Sequence, residues 1–325
     1  MHQRKRVLTL ITVLTVFLLS AATPAAALFG RTEEVSAGDD GAPIAQNLEA
    51  ETYRGIPYTG TLSAVDNEGD AFTFHIVEQP AKGTVALGED GSFVYTPAAG
   101  KSGKDSFTYA ATDTGGNESA PATVSINIRK QKTSVTYSDM EGHPSYSAAI
   151  CLAEEGICVG RQVGGTYLFD PAESVSRSEF LAMAMDAAGL EVDPAVRLTG
   201  FADDDSIAVW AKSYASAAVR EGLISGVSTG EGIVFQGGEA ITLREAAAIM
   251  DRILNVTDVR LEETAAWSDQ AVANMESVHV ISAGSFGSEA ASQTITRAQA
   301  AEILMAAIRL MEDQEDQGGG LFGWF

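Results

Sequence analysis

Between residues 42 and 130, apolar and polar positions alternate in steps of two, in short runs broken by Gly, Asp, Asn and Pro. Residues 71–77, 91–96, 106–109 and 122–128 are the clearest of these runs. Each has the length and period of a half-buried strand. Glu89-Asp90-Gly91 carries a hairpin-turn signal between two of them. The pattern predicts an antiparallel β-sandwich. Beyond residue 137 the period lengthens to that of a helix. Trp210, Tyr214, Ala217 and Ala218 fall on one helix face, and Ile249, Met250 and Ile253 on another. An all-α region is therefore expected to follow the sandwich.

The helical part repeats. An aromatic-x-Asp word recurs at Tyr137-Ser138-Asp139, Phe201-Ala202-Asp203 and Trp267-Ser268-Asp269. A second word recurs at Val175-Ser176-Arg177-Ser178-Glu179, Ile241-Thr242-Leu243-Arg244-Glu245 and Ile295-Thr296-Arg297-Ala298-Gln299. Between them, glycine turns stand at Gly156–Gly160 and Gly222–Gly226, and His279 takes the first glycine's place in the third copy. Each unit reads as helix, turn, loop, helix, over residues 137–192, 201–257 and 266–311.

The second helix of each unit opens with a capping box: Ser176 with Glu179, Thr242 with Glu245, Thr296 with Gln299. Capping accounts for the hydroxyl and the acid but not for the arginine. Arg177 and Arg297 fall at the first helical position and Arg244 at the second, where a cation opposes the helix dipole. A first helical turn also offers backbone N–H groups to anions. Arginine at such a place points to a carboxylate or phosphate ligand. The alternative is an arginine left in solvent or paired with the aromatic-x-Asp acids.

These words resemble the S-layer homology family, whose pattern adds a Trp-Ala helix and a Phe-x-Pro loop, here Trp210-Ala211 and Phe169-Asp170-Pro171. The resemblance implies three repeats packed as a pseudo-trimeric, all-α bundle. It also implies grooves that bind an anionic, often pyruvylated, secondary cell-wall polysaccharide. The ligand-binding set so implied is Arg177, Arg244 and Arg297, the caps Ser176, Thr242, Thr296, Glu179 and Glu245, the acids Asp139, Asp203 and Asp269, and Trp210. Residues 42–129, with Lys82-Gly83-Thr84-Val85, Asp90-Gly91-Ser92-Phe93-Val94-Tyr95 and Asp105-Ser106-Phe107-Thr108-Tyr109, resemble bacterial Ig-like, cadherin-like surface domains. Such domains act as spacers or adhesive modules, and some bind calcium. Asp66, Glu68, Asp70 and Asp113 could supply oxygens, but acids in turns are common and solvated turn acids are the favoured reading.

Composition narrows the partners. With 44 acidic and 21 basic residues the net charge is −23, which excludes a general nucleic-acid surface. Residues 1–27 have the order of a secretory signal peptide: Arg4-Lys5-Arg6, an apolar run, then Ala25-Ala26-Ala27. Residues 28–41 read as a linker. After cleavage no segment is long enough to span a membrane. Export permits a Cys151–Cys158 bridge, with two small buried hydrophobes as the alternative. Gly226-Val227-Ser228-Thr229-Gly230 spells a nucleophile elbow outside its strand-to-helix context, so no enzyme is expected. Residues 312–325 read as an acidic, glycine-rich and aromatic tail, free in solvent or docked on another surface protein. The expectation is a secreted wall or S-layer protein whose partner is wall polysaccharide or peptidoglycan. An adhesin, or less readily a wall hydrolase, is the alternative.

Overall fold

The computed structural model describes residues 41–316 apart from Glu68, Asp70, Asp258, residues 260–266, Ala283 and Phe286. The expected signal peptide, nearly all of the linker, and residues 317–325 lie outside the described residues.

The sandwich comprises β1 (Ile44–Ala45), β2 (Leu48–Tyr53), β3 (Tyr58–Thr61), β4 (Ala64–Val65), β5 (Phe72–Glu78), β6 (Gly83–Leu87), β7 (Ser92–Pro97), β8 (Gly103–Asp113) and β9 (Ala122–Arg129). One sheet has the order β2-β9-β8-β5, the other β3-β7-β6, and β1 pairs with β4. Strict alternation along β7 and β9 turns Phe93, Tyr95, Val124, Ile126 and Ile128 inward to meet Phe107 and Tyr109. The buried phenols keep partners. Tyr95 donates to Asp105 at 2.7 Å, and Tyr109 donates to the Ser63 carbonyl at 2.7 Å. The antiparallel expectation fails at one place: β2 runs parallel to β9. These strands come from opposite ends of the sandwich, so no hairpin dictates their direction.

The remaining elements are α1 (Tyr146–Glu154), β10 (Arg161–Val163), β11 (Thr166–Leu168), α2 (Arg177–Ala187), α3 (Val209–Arg220), β12 (Val227–Thr229), β13 (Gly232–Val234), α4 (Leu243–Leu254), α5 (Trp267–Ser277) and α6 (Arg297–Asp316). This part is not all-α. In the first two units the segment after the glycine turn is an antiparallel hairpin. Gly164 and Gly165, with φ of 59° and 86°, make the tight primed turn that joins β10 to β11. The nucleophile-elbow spelling is simply β12 and the start of its turn. His279 adopts φ 58°, the left-handed conformation of Gly156 and Gly222, so the turn survives the replacement.

The second-helix starts of the three units meet in a closed ring. Val175 donates its N–H to Ile295, Ile295 to Ile241, and Ile241 to Val175, at 3.3, 3.0 and 2.9 Å. All three side chains are buried. The β-branched residue before each cap thus joins the units at their common centre.

The sandwich is built into this half rather than hung from it. Tyr53 and Ile56 share the hydrophobic core of the helices. Beside them Glu51 is buried and ion-paired with Arg129 at 2.6 Å, and Arg309 donates to the Glu51 carbonyl at 2.9 Å. Burial, outweighing both arginines, raises the Glu51 carboxyl above its ordinary range. Arg129 also pairs with Glu312. The acidic stretch expected to open a flexible tail instead continues α6 to Asp316, and this ion pair holds it against the sandwich.

Candidate functional site

The capping boxes form as the spacing predicts. Ser176 and Thr242 accept from the backbone of Glu179 and Glu245, whose side chains return to the caps. Thr296 and Gln299 make the same exchange at 3.3 and 2.9 Å. The first-turn N–H groups, expected to await an anion, are already bonded to a neighbouring loop. Arg177 and Ser178 donate to the carbonyls of Glu239 and Gly237. Arg297 and Ala298 donate to those of Glu173 and Pro171. Each helix start is docked on the phenylalanine loop of the next unit around the ring.

The arginine side chains follow the same rule. Arg177 donates to the Phe235 carbonyl at 3.1 Å and to Glu245 at 2.5 Å, and lies over the Phe235 ring. Arg297 donates to the Phe169 carbonyl at 2.9 Å. Leu243 leaves the third such tie unmade, and the displaced Arg244 pairs with Asp269 at 2.6 Å. The acids of the first word are likewise engaged. Asp139 accepts from the N–H groups of Phe169 and Asp170, and Asp203 accepts from those of Phe235 and Gln236, both at 2.8 Å. Both carboxylates therefore face a loop backbone rather than a groove. Asp170 and Gln236, the residues so held, both have φ 56°, a conformation rare outside glycine.

A cavity of about 610 Å³ opens beside the first unit. It is lined by Gly160 and Arg161 at the start of β10, by residues of α2, by Trp210 and Tyr214 of α3, and by Arg297. Trp210, which the family resemblance puts in the ligand-binding set, stands off the core face of α3. It is 52% exposed, because Ala211, Ala215 and Ala218 make the buried stripe instead. Its ring stands edge-on to Tyr214, with centroids 6.4 Å apart. Tyr214 donates to both oxygens of Asp186, at 2.9 and 3.1 Å. Burial raises the Asp186 carboxyl, and burial with that bond pushes the Tyr214 phenol up to about 12. The rim aromatic is thus held upright by a hydrogen bond at its foot. Arg161 grips Asp170 through Nε and Nη2 at 3.2 and 3.0 Å. Arg161, Asp170, Asp186 and Tyr214 were not in the set the sequence words implied. The residue following the Gly160 turn was the available signal for Arg161.

At the equivalent places of the other units, different side chains bridge the helices among the described residues. Between α4 and α5, Asn274, fully buried, donates to Asp251 and accepts from Gln270, both at 2.9 Å. Arg252 crosses to the Leu223 carbonyl at 2.7 Å. Between α6 and α1, Ser145 donates to Glu302 at 2.6 Å.

Both cysteines are free. Cys151 is buried among apolar side chains, which pushes its thiol up to about 11, the behaviour of a small core residue. In the sandwich, Asp113 accepts from the backbone and side chain of Asn117 at 2.8 and 3.0 Å, which is turn chemistry. Glu68 and Asp70 lie outside the described residues. Among the described residues no group of three or more metal-ligating side chains is assembled, and no helix is long and apolar enough to cross a membrane.

Residues 38–130 match the bacterial cadherin-like domain. Residues 200–247 match the S-layer homology domain. The second match falls on the middle unit, and S-layer homology domains bind cell-wall polysaccharide, which places this protein at the cell surface. No curated protein sequence matches the chain. Among solved structures, an endo-fucoidan hydrolase of glycoside hydrolase family 107 aligns at 24% identity and a TM-score of 0.24, covering 29% of this chain and 14% of its own. A variant of the SrpA adhesin from Streptococcus sanguinis aligns at 17% identity and TM-score 0.25, covering 31% of this chain and 66% of its own. Fibronectin(III)-like modules of Clostridium thermocellum CbhA align at 18% identity and TM-score 0.20, covering 27% of this chain and 47% of theirs. The chain thus spans only a small part of the hydrolase it matches.

Proposed function

We propose that this is a non-catalytic, exported surface protein. Three S-layer homology units hold it to an anionic secondary cell-wall polysaccharide, and its cadherin-like domain is displayed outward. The observation that carries the reading is the groove between α2 and α3. It combines an exposed indole, suited to the apolar face of a sugar ring, with two guanidinium groups on its walls. Asp170, Glu173, Glu179 and Asp186 also line it, and three of them have partners within the fold. Glu179 is engaged in its capping box, Asp170 by Arg161, and Asp186 by Tyr214 with a raised carboxyl. An acidic polymer can approach a protein of net charge −23 because distant repulsion is screened within about 8 Å at physiological salt, which leaves the local guanidinium groups to act.

Co-sedimentation of the full chain with purified sacculi tests this. Binding is expected to sacculi carrying their secondary polymer and not to sacculi from which it has been extracted. Trp210→Ala should weaken binding about tenfold, the loss of one aromatic contact. Equal binding to stripped sacculi would defeat the reading.

A further inference from the structure

Resting on that groove as the polymer site, we propose that Arg161 is the residue that reads the ligand's acidic group. The arginines of the repeated word are fastened to the frame. Arg177 is 11% exposed and holds Glu245, and Arg297 is tied to the Phe169 carbonyl. Arg161 is 59% exposed and stands at the mouth of the cavity. Its Nε and Nη2 each contact one oxygen of Asp170, the two-pronged geometry that a guanidinium offers a carboxylate. Asp170 thus occupies the seat a ligand carboxylate would take. Arg161 is reached from solvent, so a ligand carboxylate can compete with Asp170 for it. Asp170 is not stranded by the exchange, since Arg297 Nη1 already lies 3.8 Å from its Oδ2.

The second unit supplies an internal control. Val227 begins β12 where Arg161 begins β10, facing Val234 as Arg161 faces Leu168. Gln236 stands at φ 56° where Asp170 stands. The cation and its internal carboxylate are both absent there. Among the described residues no hairpin follows α5. Comparing the first two units, the pairing of a hairpin arginine with an internal carboxylate belongs to the α2–α3 groove.

The test compares the wild-type chain, Arg161→Gln, Arg161→Lys and Trp210→Ala. Each is sedimented with polymer-bearing sacculi and with the same sacculi after carbodiimide amidation of their carboxylates. Losing a charge-assisted pair should weaken Arg161→Gln binding to native sacculi about ten- to a hundredfold, with Tm unchanged. Arg161→Lys should recover part of it. Amidation should weaken the wild type by the same factor and leave Arg161→Gln where it was. Wild-type binding by Arg161→Gln, or an equal effect of amidation on both, would overturn the proposal. In that event a loss in Trp210→Ala would keep the groove as the polymer site, and no loss would remove the groove as well.

Discussion

The cleft between α2 and α3 and the cleft between α4 and α5 are built on one frame and are lined differently. Both sit beside a phenylalanine loop whose backbone is held by an aspartate, Asp139 or Asp203. Both lie behind a capping box. In the first, Tyr214 of α3 bonds to Asp186 of α2, Trp210 stays exposed, and a cavity lies beside them. In the second, Asn274 and Gln270 reach α4 and the segment before α5, and Arg252 bridges to the turn. The repeated words therefore specify the frame, while side chains outside those words decide whether a cleft is a site or a seam.

The largest effects should come from breaking what the clefts share. Phe169→Ala and Phe235→Ala each remove a fully buried ring, and each should lower stability by about 3–5 kcal/mol in denaturant titration. A loss below about 1 kcal/mol at either site would show that the two units do not share a frame. Next come Asp139→Ala and Asp203→Ala. Each leaves two loop N–H groups without an acceptor, for a loss of about 2–3 kcal/mol. Differential scanning calorimetry should rank the pair together, with polymer binding affected only through folding.

A smaller change separates the clefts. Asn274→Ala should destabilise by about 1–3 kcal/mol, because Asp251 and Gln270 lose a buried partner. Tyr214→Phe, at the corresponding place in the open cleft, should stay within about 1 kcal/mol in the same urea titration.

The smallest effect is one of sign with pH. The folded Asp186 carboxyl is raised by burial. Its contribution is therefore full below the unfolded value of 3.8 and is lost as pH rises through the folded value. Asp204 is the reverse. Hydrogen bonds from Lys212 and Thr199 hold it down to about 2. Its contribution is present above 3.8 and disappears as pH falls toward 2. Asp186→Asn should thus raise Tm at neutral pH by about a degree or two, and Asp204→Asn should lower it. Thermal melts between pH 2 and 7 would expose equal signs as a contradiction.

How far these features could be read in advance follows the same division. Alternation along β7 and β9 and the capping words were legible because local periodicity and local hydrogen bonds produce them. The hairpins β10–β11 and β12–β13 were not, since three-residue strands carry too little pattern. Trp210 entered the ligand-binding set through the Trp-Ala word alone, because helical spacing cannot tell a core face from a groove wall when alanines supply the core stripe. The arginines were read as anion sites because a sequence does not show that a neighbouring loop already fills the helix start. Arg161 lay outside every repeated word, and only the folded hairpin brings it opposite Trp210.

Isothermal titration of the full chain with polymer fragments released from sacculi addresses the contrast between the clefts most directly. Taking the α2–α3 cavity as the polymer site predicts one binding site per chain, abolished together with the heat signal in Trp210→Ala. Two or three equivalent sites, or a single site indifferent to Trp210, would contradict it.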